Sequence, residues 1–252
     1  MSVWSVNLEG GRWWYAHVAE LPGCFTRAAT RGEALSLLPG VLDAHLRWLD
    51  DWGIAHHSRS GLAVVEEREE VPELGESGGA VALFASDRES VTAESLSQFL
   101  ELMSLNRDET LRMICTFPSA ELGYHPRMGK RSLAEDVRHI VNAEEWYISR
   151  MGLRYQRVYE AELRAVRGKR RPSDVERLTI TRGPMTMTLK KALADGHQGT
   201  FQRKAYSRHP EELWTLGKVL RRFVEHEREH IGTMELTLAA LRASHPFGGL
   251  DP

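Results

Sequence analysis

A chain of 252 residues with 42 % hydrophobic and 27 % charged side chains carries enough apolar surface for one or two well-filled cores. Its formal charge of −2 excludes a global pull toward polyanions, so nucleic acid is not an expected partner, and no window approaches the roughly 18 apolar residues that a bilayer span needs. The two cysteines, Cys24 and Cys115, are too few and too far apart in sequence for a disulfide framework or a thiolate zinc cluster. They are expected as reduced thiols, Cys115 packing as a small hydrophobe. No basic stretch followed by an apolar run opens the chain, and a cytoplasmic location is expected.

The first half reads as strand, strand, helix, strand. Val3, Val6, Trp13, Tyr15, His17 and Val18 lie in short β-prone runs on either side of the turn Glu9, Gly10, Gly11, which is a hairpin signal. From Arg31 to Trp52, Leu35, Leu38, Val41, Leu42, Leu46 and Leu49 recur at helical spacing, predicting an amphipathic helix that covers the sheet. Leu62 to Val65 supplies a further strand, residues 71–79 read as a polar linker, and Ala80 to Ala85 as a last strand.

Within this half, AELPGCFT at 19–26, followed by TRGEAL at 30–35 and a helix, resembles the HicB-like domain of toxin–antitoxin proteins. The resemblance covers about 50 residues and departs from the family pattern at Ala28 and Ala29. Antitoxins of that family generally add a DNA-binding segment. None follows here, because the chain continues into long amphipathic helices, so the resemblance implies the small fold and a partner-binding or regulatory role rather than antitoxin activity.

From Val91 onward the periodicity is helical. Leu96, Phe99, Leu100, Met103, Leu111 and Ile114 predict a first helix ending before Pro118. Ser132 and Glu135 form a capping box that opens a second helix running to about Met151 and ending at Gly152. Residues 153–183 are basic and poorly patterned, with 168–172 read as a loop and Leu178 to Thr181 as an extended piece. A third helix is placed near Thr186 to Ala205, weakened by Gly196 and Gly199, and a last one from an N-cap at Thr215 to about Ala243. The fold class is therefore α+β: a small β-β-α-β domain over 1–85, then an all-α four-helix bundle over 86–252.

The last helix has an apolar seam through Leu216, Leu220, Phe223, Met234, Leu238 and Leu241, interrupted by EHEREH at 225–230. On a helical wheel Glu227 lies within the seam and His226 and His230 on its flank. Histidines four apart share one face and can bind one ion. The same spacing also suits a solvated charged patch. His139, on the largely apolar second helix, reads by itself as a satisfied core histidine more readily than as a ligand, and Glu144 falls in the apolar stripe of Val137, Val141 and Ile148.

RHIVNAEEWY at 138–147, together with WTLGKVLRRFVEHEREHIGT at 214–233, resembles the DinB family of metal-binding four-helix bundles, over about 91–243. The resemblance implies a divalent ion held by His139, His226 and His230, with Zn or Ni first and Fe, Mn or Cu also compatible with imidazole donors. Three neutral imidazoles leave at least one position open, as in catalytic rather than closed structural sites. Members of that family include thiol S-transferases, thiol-dependent isomerases and a smaller group of hydrolases, which implies a small-molecule electrophile as substrate, a low-molecular-weight thiol as cosubstrate, and pairing into homodimers. Glu227 is the candidate catalytic residue, as proton acceptor or imidazole partner, against a structural ion pair with an arginine such as Arg138. Trp146 and Tyr147 line the pocket or pack the core, and the basic run 167–171 attracts an acidic substrate or is solvated surface.

Overall fold

A computed structural model describes residues 2–69, 82–115, 119–127, 130–207 and 209–244, so the linker at 71–79 lies outside the described residues. The N-terminal unit is a four-stranded sheet in the order β3-β2-β1-β4, built from β1 (Trp4–Gly10), β2 (Trp14–Val18), β3 (Phe25–Ala28) and β4 (Leu62–Arg68), with helix α1 (Arg31–Asp51) between β3 and β4. Strands β1, β2 and β3 run antiparallel in sequence, whereas β4 joins β1 in parallel, the crossover through α1 permitting it. The sequence reading lacked β3. Four residues are too short to show a period, and the strand is held by pairing to β2 from Trp14 with Ala28 to His17 with Phe25. Ala82 to Ala85 is not the last strand expected: these residues have no strand partner and lead into a short 3-10 turn at Ser86–Arg88.

Strand β1 is buried along almost its whole length. Trp4, Val6 and Leu8 fill the core, each worth roughly 1.5–3 kcal/mol on burial, while the alternate residues Asn7 and Glu9 are buried and polar. Asn7 Nδ2 donates to Ser86 Oγ (3.2 Å), and Glu9 Oε2 accepts from the Ala82 amide (2.6 Å). Strand β1 thus has a polar side as well as an apolar one, and both are buried.

The bundle comprises α2 (Ala93–Cys115), α3 (Leu133–Arg150), α4 (Leu153–Arg167), α5 (Asp174–Ala194) and α6 (Leu216–Ser244). Helices α2, α6, α3 and α5 form the four-membered ring, and α4 packs on α5 and α3. The capping box at Ser132 and Glu135 is present, with the Glu135 amide donating to Ser132 Oγ and the Ser132 amide to the Glu135 carboxylate. Thr215 Oγ1 accepts from the Lys218 amide (3.1 Å) at the start of α6. The third bundle helix differs from its expected range of 186–205. It begins twelve residues earlier, at a second capping box of Ser173 and Glu176, and ends at Ala194. Leu178 to Thr181 is helical rather than extended. Leu178, Thr181, Met185, Thr188, Leu189 and Ala192 are buried at helical spacing, and this packing overrides the β-branched run and Pro184 inside the helix.

Sheet and bundle share one continuous apolar core that runs from Trp4, Leu38 and Leu49 to Met103, Trp214, Phe223 and Val224. The turn at Leu21 to Gly23 seats against α6. Gly23 has φ +90°, and a Cβ there would lie 3.1 Å from Val224 Cγ1, so only glycine suits both backbone and packing. Cys24 is buried and Cys115 exposed, the reverse of the packing expected for Cys115. Among the described residues no helix is long and apolar enough to cross a membrane.

Candidate metal centre

The capping box fixes the start of α3 and thereby its rotation, so Val137, Ile140, Val141 and Ile148 face the core while Asp136 and His139 lie one turn apart beside α6. His226 and His230 stand one turn apart on the facing side of α6. The three rings converge: centroids lie 5.0 Å apart for His139 and His226, 5.0 Å for His139 and His230, and 4.6 Å for His226 and His230. One nitrogen from each ring falls within 4.8 Å of the others. His226 and His230 are buried and His139 is half-buried, which makes His139 the open side of the cluster.

The donor set fits a divalent ion. Imidazole nitrogens about 2.0–2.1 Å from a tetrahedral ion stand roughly 3.3 Å from one another, and His226 Nε2 lies 3.2 Å from His139 Nε2. His230 Nδ1 lies 3.1 Å from Asp136 Oδ1, so the carboxylate accepts that N–H and leaves Nε2 with its lone pair free for an ion. Burial, then the neighbouring His230 and Arg131, holds the His139 pKa down at about 4. Burial, then His230 and Arg222, holds His226 well below the ordinary value. Both rings are therefore neutral near pH 7, the state that ligates.

For Glu227 two roles were open, partner or proton acceptor beside the imidazoles, or an ion pair with an arginine. Glu227 is fully buried, and its carboxylate meets Arg107 Nε (2.7 Å), Arg182 Nη2 (2.6 Å) and Thr110 Oγ1 (3.1 Å) rather than an imidazole. Burial alone would raise its pKa, but the two guanidinium groups overcome that and hold it below the usual carboxylate range. Glu144, the unexplained acid in the apolar stripe, belongs to the same cluster, 2.8 Å from Arg107 and 2.9 Å from Arg182. Two arginines and two glutamates, one residue from each of α2, α3, α5 and α6, thus close a neutral quartet at the bundle centre. Arg107 also donates to the Leu178 carbonyl. The imidazole-partner role expected of Glu227 is filled by Asp136, and its arginine partners are Arg107 and Arg182 rather than Arg138, which pairs with Asp174 at 2.8 Å.

Of the residues missed, Asp136 was within reach, since an acid three before His139 shares its face. The arginines of the quartet come from α2 and α5, and no local pattern connects them to Glu227. Trp146 stacks edge-on against Trp214 (5.3 Å) and donates to the Tyr206 carbonyl (2.7 Å). Tyr147 is buried with its ring edge toward His226 (5.8 Å). Residues 167–171 are exposed.

A family model described as the DinB superfamily matches residues 102–234, just over half of the chain, and takes in all three histidines. The chain belongs to the DinB superfamily. This DinB protein carries its sheet unit ahead of the matched region. Among solved structures, YfiT from Bacillus subtilis, described as a probable metal-dependent hydrolase with an unusual four-helix bundle topology, is similar at 16 % identity and a TM-score of 0.44. The match covers 61 % of this chain and 91 % of YfiT. No curated protein matches.

Proposed function

We propose that this DinB protein holds a divalent ion, Zn or Ni first, through His139, His226 and His230, and acts as a metal-dependent thiol S-transferase on a small electrophile. The observation that carries the reading is the convergence of three imidazoles with Asp136 behind His230. When bound, such an ion lowers the pKa of a coordinated thiol or water and supplies a nucleophile near neutral pH. The chain's own residues do the positioning. Asp136 sets the tautomer and ring plane of His230. The Arg107–Glu144–Arg182–Glu227 quartet pins α6 against its three neighbours, which keeps His226 and His230 aimed at α3. Tyr147, backed by the Phe223 ring, packs edge-on against His226, leaving the His139 side for substrate and thiol.

The test is elemental analysis of tag-free protein beside His226→Ala and His230→Ala, then thiol consumption against a panel of small electrophiles with and without chelator, with ester and amide probes for hydrolysis. Near-stoichiometric metal in the wild type, its loss in both variants and chelator-sensitive thiol consumption are the expected results. Equal metal in all three proteins would remove the site. Metal without turnover on any probe would favour a second reading, a non-catalytic metal-bound bundle whose N-terminal unit regulates or binds a protein partner. That reading draws on a buried contact between the units: His17 of β2 lies 2.8 Å from Glu225, the residue preceding His226.

A further inference from the structure

The sheet unit reaches the helix that carries two of the histidines through a buried polar contact. His17 of β2 lies opposite Asn7 of β1, so both project from the same face of the sheet, and it is 2 % exposed. Its ring packs against Phe25 (5.8 Å) and Phe84 (5.5 Å), and its Nδ1 lies 2.8 Å from Glu225 Oε1. Burial alone would raise the Glu225 pKa, but Arg221 and then His17 hold it below the ordinary carboxylate range, so the carboxylate accepts and Nδ1 donates. The other ring nitrogen, Nε2, has no hydrogen-bond partner among the described residues, which leaves Glu225 as the polar contact of this imidazole.

Glu225 is tied on two further sides. Its second oxygen accepts from Arg221 Nη1 (2.9 Å) and Arg222 Nη1 (3.1 Å). Arg221 grips the Asp87 carboxylate at 2.8 and 2.9 Å and the Ala82 carbonyl at 2.8 Å. Arg222 Nη2 lies 3.4 Å from Tyr147 Oη, and the Tyr147 ring packs edge-on against His226. Two guanidinium groups against Asp87 and Glu225 already balance the charge, so His17 is not needed for neutrality. What it adds is direction.

The order of residues along α6 gives that direction a consequence. Each residue turns an α-helix by about 100°, so Glu225, His226 and Glu227 fan over about 200° of its circumference. Glu225 is anchored to the sheet unit and Glu227 to Arg107 and Arg182 of the bundle, while His226 between them brings Nε2 to 3.2 Å from His139. A helix held by the quartet alone can roll about that contact, and an anchor on the sheet side opposes the roll.

We propose that His17 is a positioning residue of the metal centre: by holding Glu225, and through it the contact of Arg222 with Tyr147, it fixes the direction in which His226 presents Nε2. The sheet unit is thus part of the support of the site. This inference rests on the metal-binding reading above and is independent of substrate and turnover.

The test uses the full chain, freed of metal and titrated with Co(II), whose visible absorption reports the geometry around the ion, with affinity read by competition with a graded chelator. Near-stoichiometric Co(II) binding by the wild type and none by His230→Ala are expected; no binding by the wild type would remove the metal reading and this inference with it. His17→Leu should lower Co(II) affinity by about tenfold, the lower end of what partners outside the ligand set are worth, and should shift the Co(II) bands. His17→Asn, whose amide nitrogen stands where Nδ1 does, should keep both near their wild-type values. Leu49→Ala, which opens a cavity in the core beneath the sheet without touching His17, should destabilise the chain and leave bands and affinity unchanged. With Co(II) bound by the wild type, unaltered bands and affinity in His17→Leu, equal losses in His17→Asn, or the same losses in Leu49→Ala would overturn the positioning role while the metal site stands. Should His17→Leu not fold, His17→Gln, which sets its donor one bond farther out, replaces it: a loss relative to His17→Asn is expected, and equal spectra and affinities would overturn the proposal.

Discussion

Glu227→Gln separates the role the structure assigns to this residue from the catalytic role its position in EHEREH suggests. In the folded protein its carboxylate lies 2.7 Å from Arg107 and 2.6 Å from Arg182, at 0 % exposure, and Glu144 supplies the only other negative charge of the quartet. The amide neutralises one of two acids, leaving two guanidinium groups to share Glu144 and turning amide hydrogens toward N–H donors. Breaking a buried pair from one side costs about 3–5 kcal/mol, because the stranded charge keeps its desolvation penalty. Denaturant unfolding of the metal-free protein at pH 7 should show that loss. The double variant Arg182→Met with Glu227→Gln restores a balanced pair of Arg107 and Glu144 and should recover a large part of it. Since Glu227 touches no ligating ring, the folded single variant should hold as much metal as the wild type. A stability within about 1 kcal/mol of wild type, combined with lost turnover at full metal content, would refute the bracing role and restore the proton-acceptor one.

Asp136→Asn weakens the acceptor behind His230 and should lower metal affinity by about 10–100-fold, read by competition with a graded chelator; unchanged affinity would mean that His230 is oriented by packing alone. Burial, then Arg228 and His56, makes His45 of α1 titrate at about 3 in the folded chain against an ordinary 6.5, so its neutral ring adds stability above pH 6.5 that is lost progressively as pH falls toward 3. Between pH 7 and 5.5 the wild type should lose about 1 kcal/mol more than His45→Leu, and parallel losses in denaturant titrations would contradict the burial argument. Gly217→Ala would set a Cβ 2.6 Å from the Asp87 carbonyl oxygen, where backbone of the 3-10 turn meets the first turn of α6. Overpacking there should cost about 1–3 kcal/mol, seen as a melting point several degrees lower; an unchanged midpoint would show that the joint is looser than its geometry implies.

The helices with long apolar periods were legible in the residues themselves. The residues of α1, α2, α3 and α6 follow a 3.6-residue period over five or more turns, and Ser132 and Thr215 mark two of the starts by side-chain chemistry that acts within four residues. Strand β3 and helix α5 were not legible in the same way. The first is four residues long, and the second carries Thr179, Ile180, Gly183 and Pro184, whose local preferences oppose the helix that packing against α3 and α4 enforces.

The site divides along the same line. The sequence alone determines the one-turn spacing of His226 and His230 and the placing of His139 on a buried helix, because both depend only on the geometry of a single helix. It does not determine that three rings meet, that Asp136 rather than Glu227 stands behind one of them, or that Arg107, Glu144 and Arg182 surround Glu227. Those facts depend on the rotation and offset of four helices relative to one another. That arrangement is decided by side-chain packing and charge pairing between residues as far apart in the chain as Arg107 and Glu227, which no local pattern encodes.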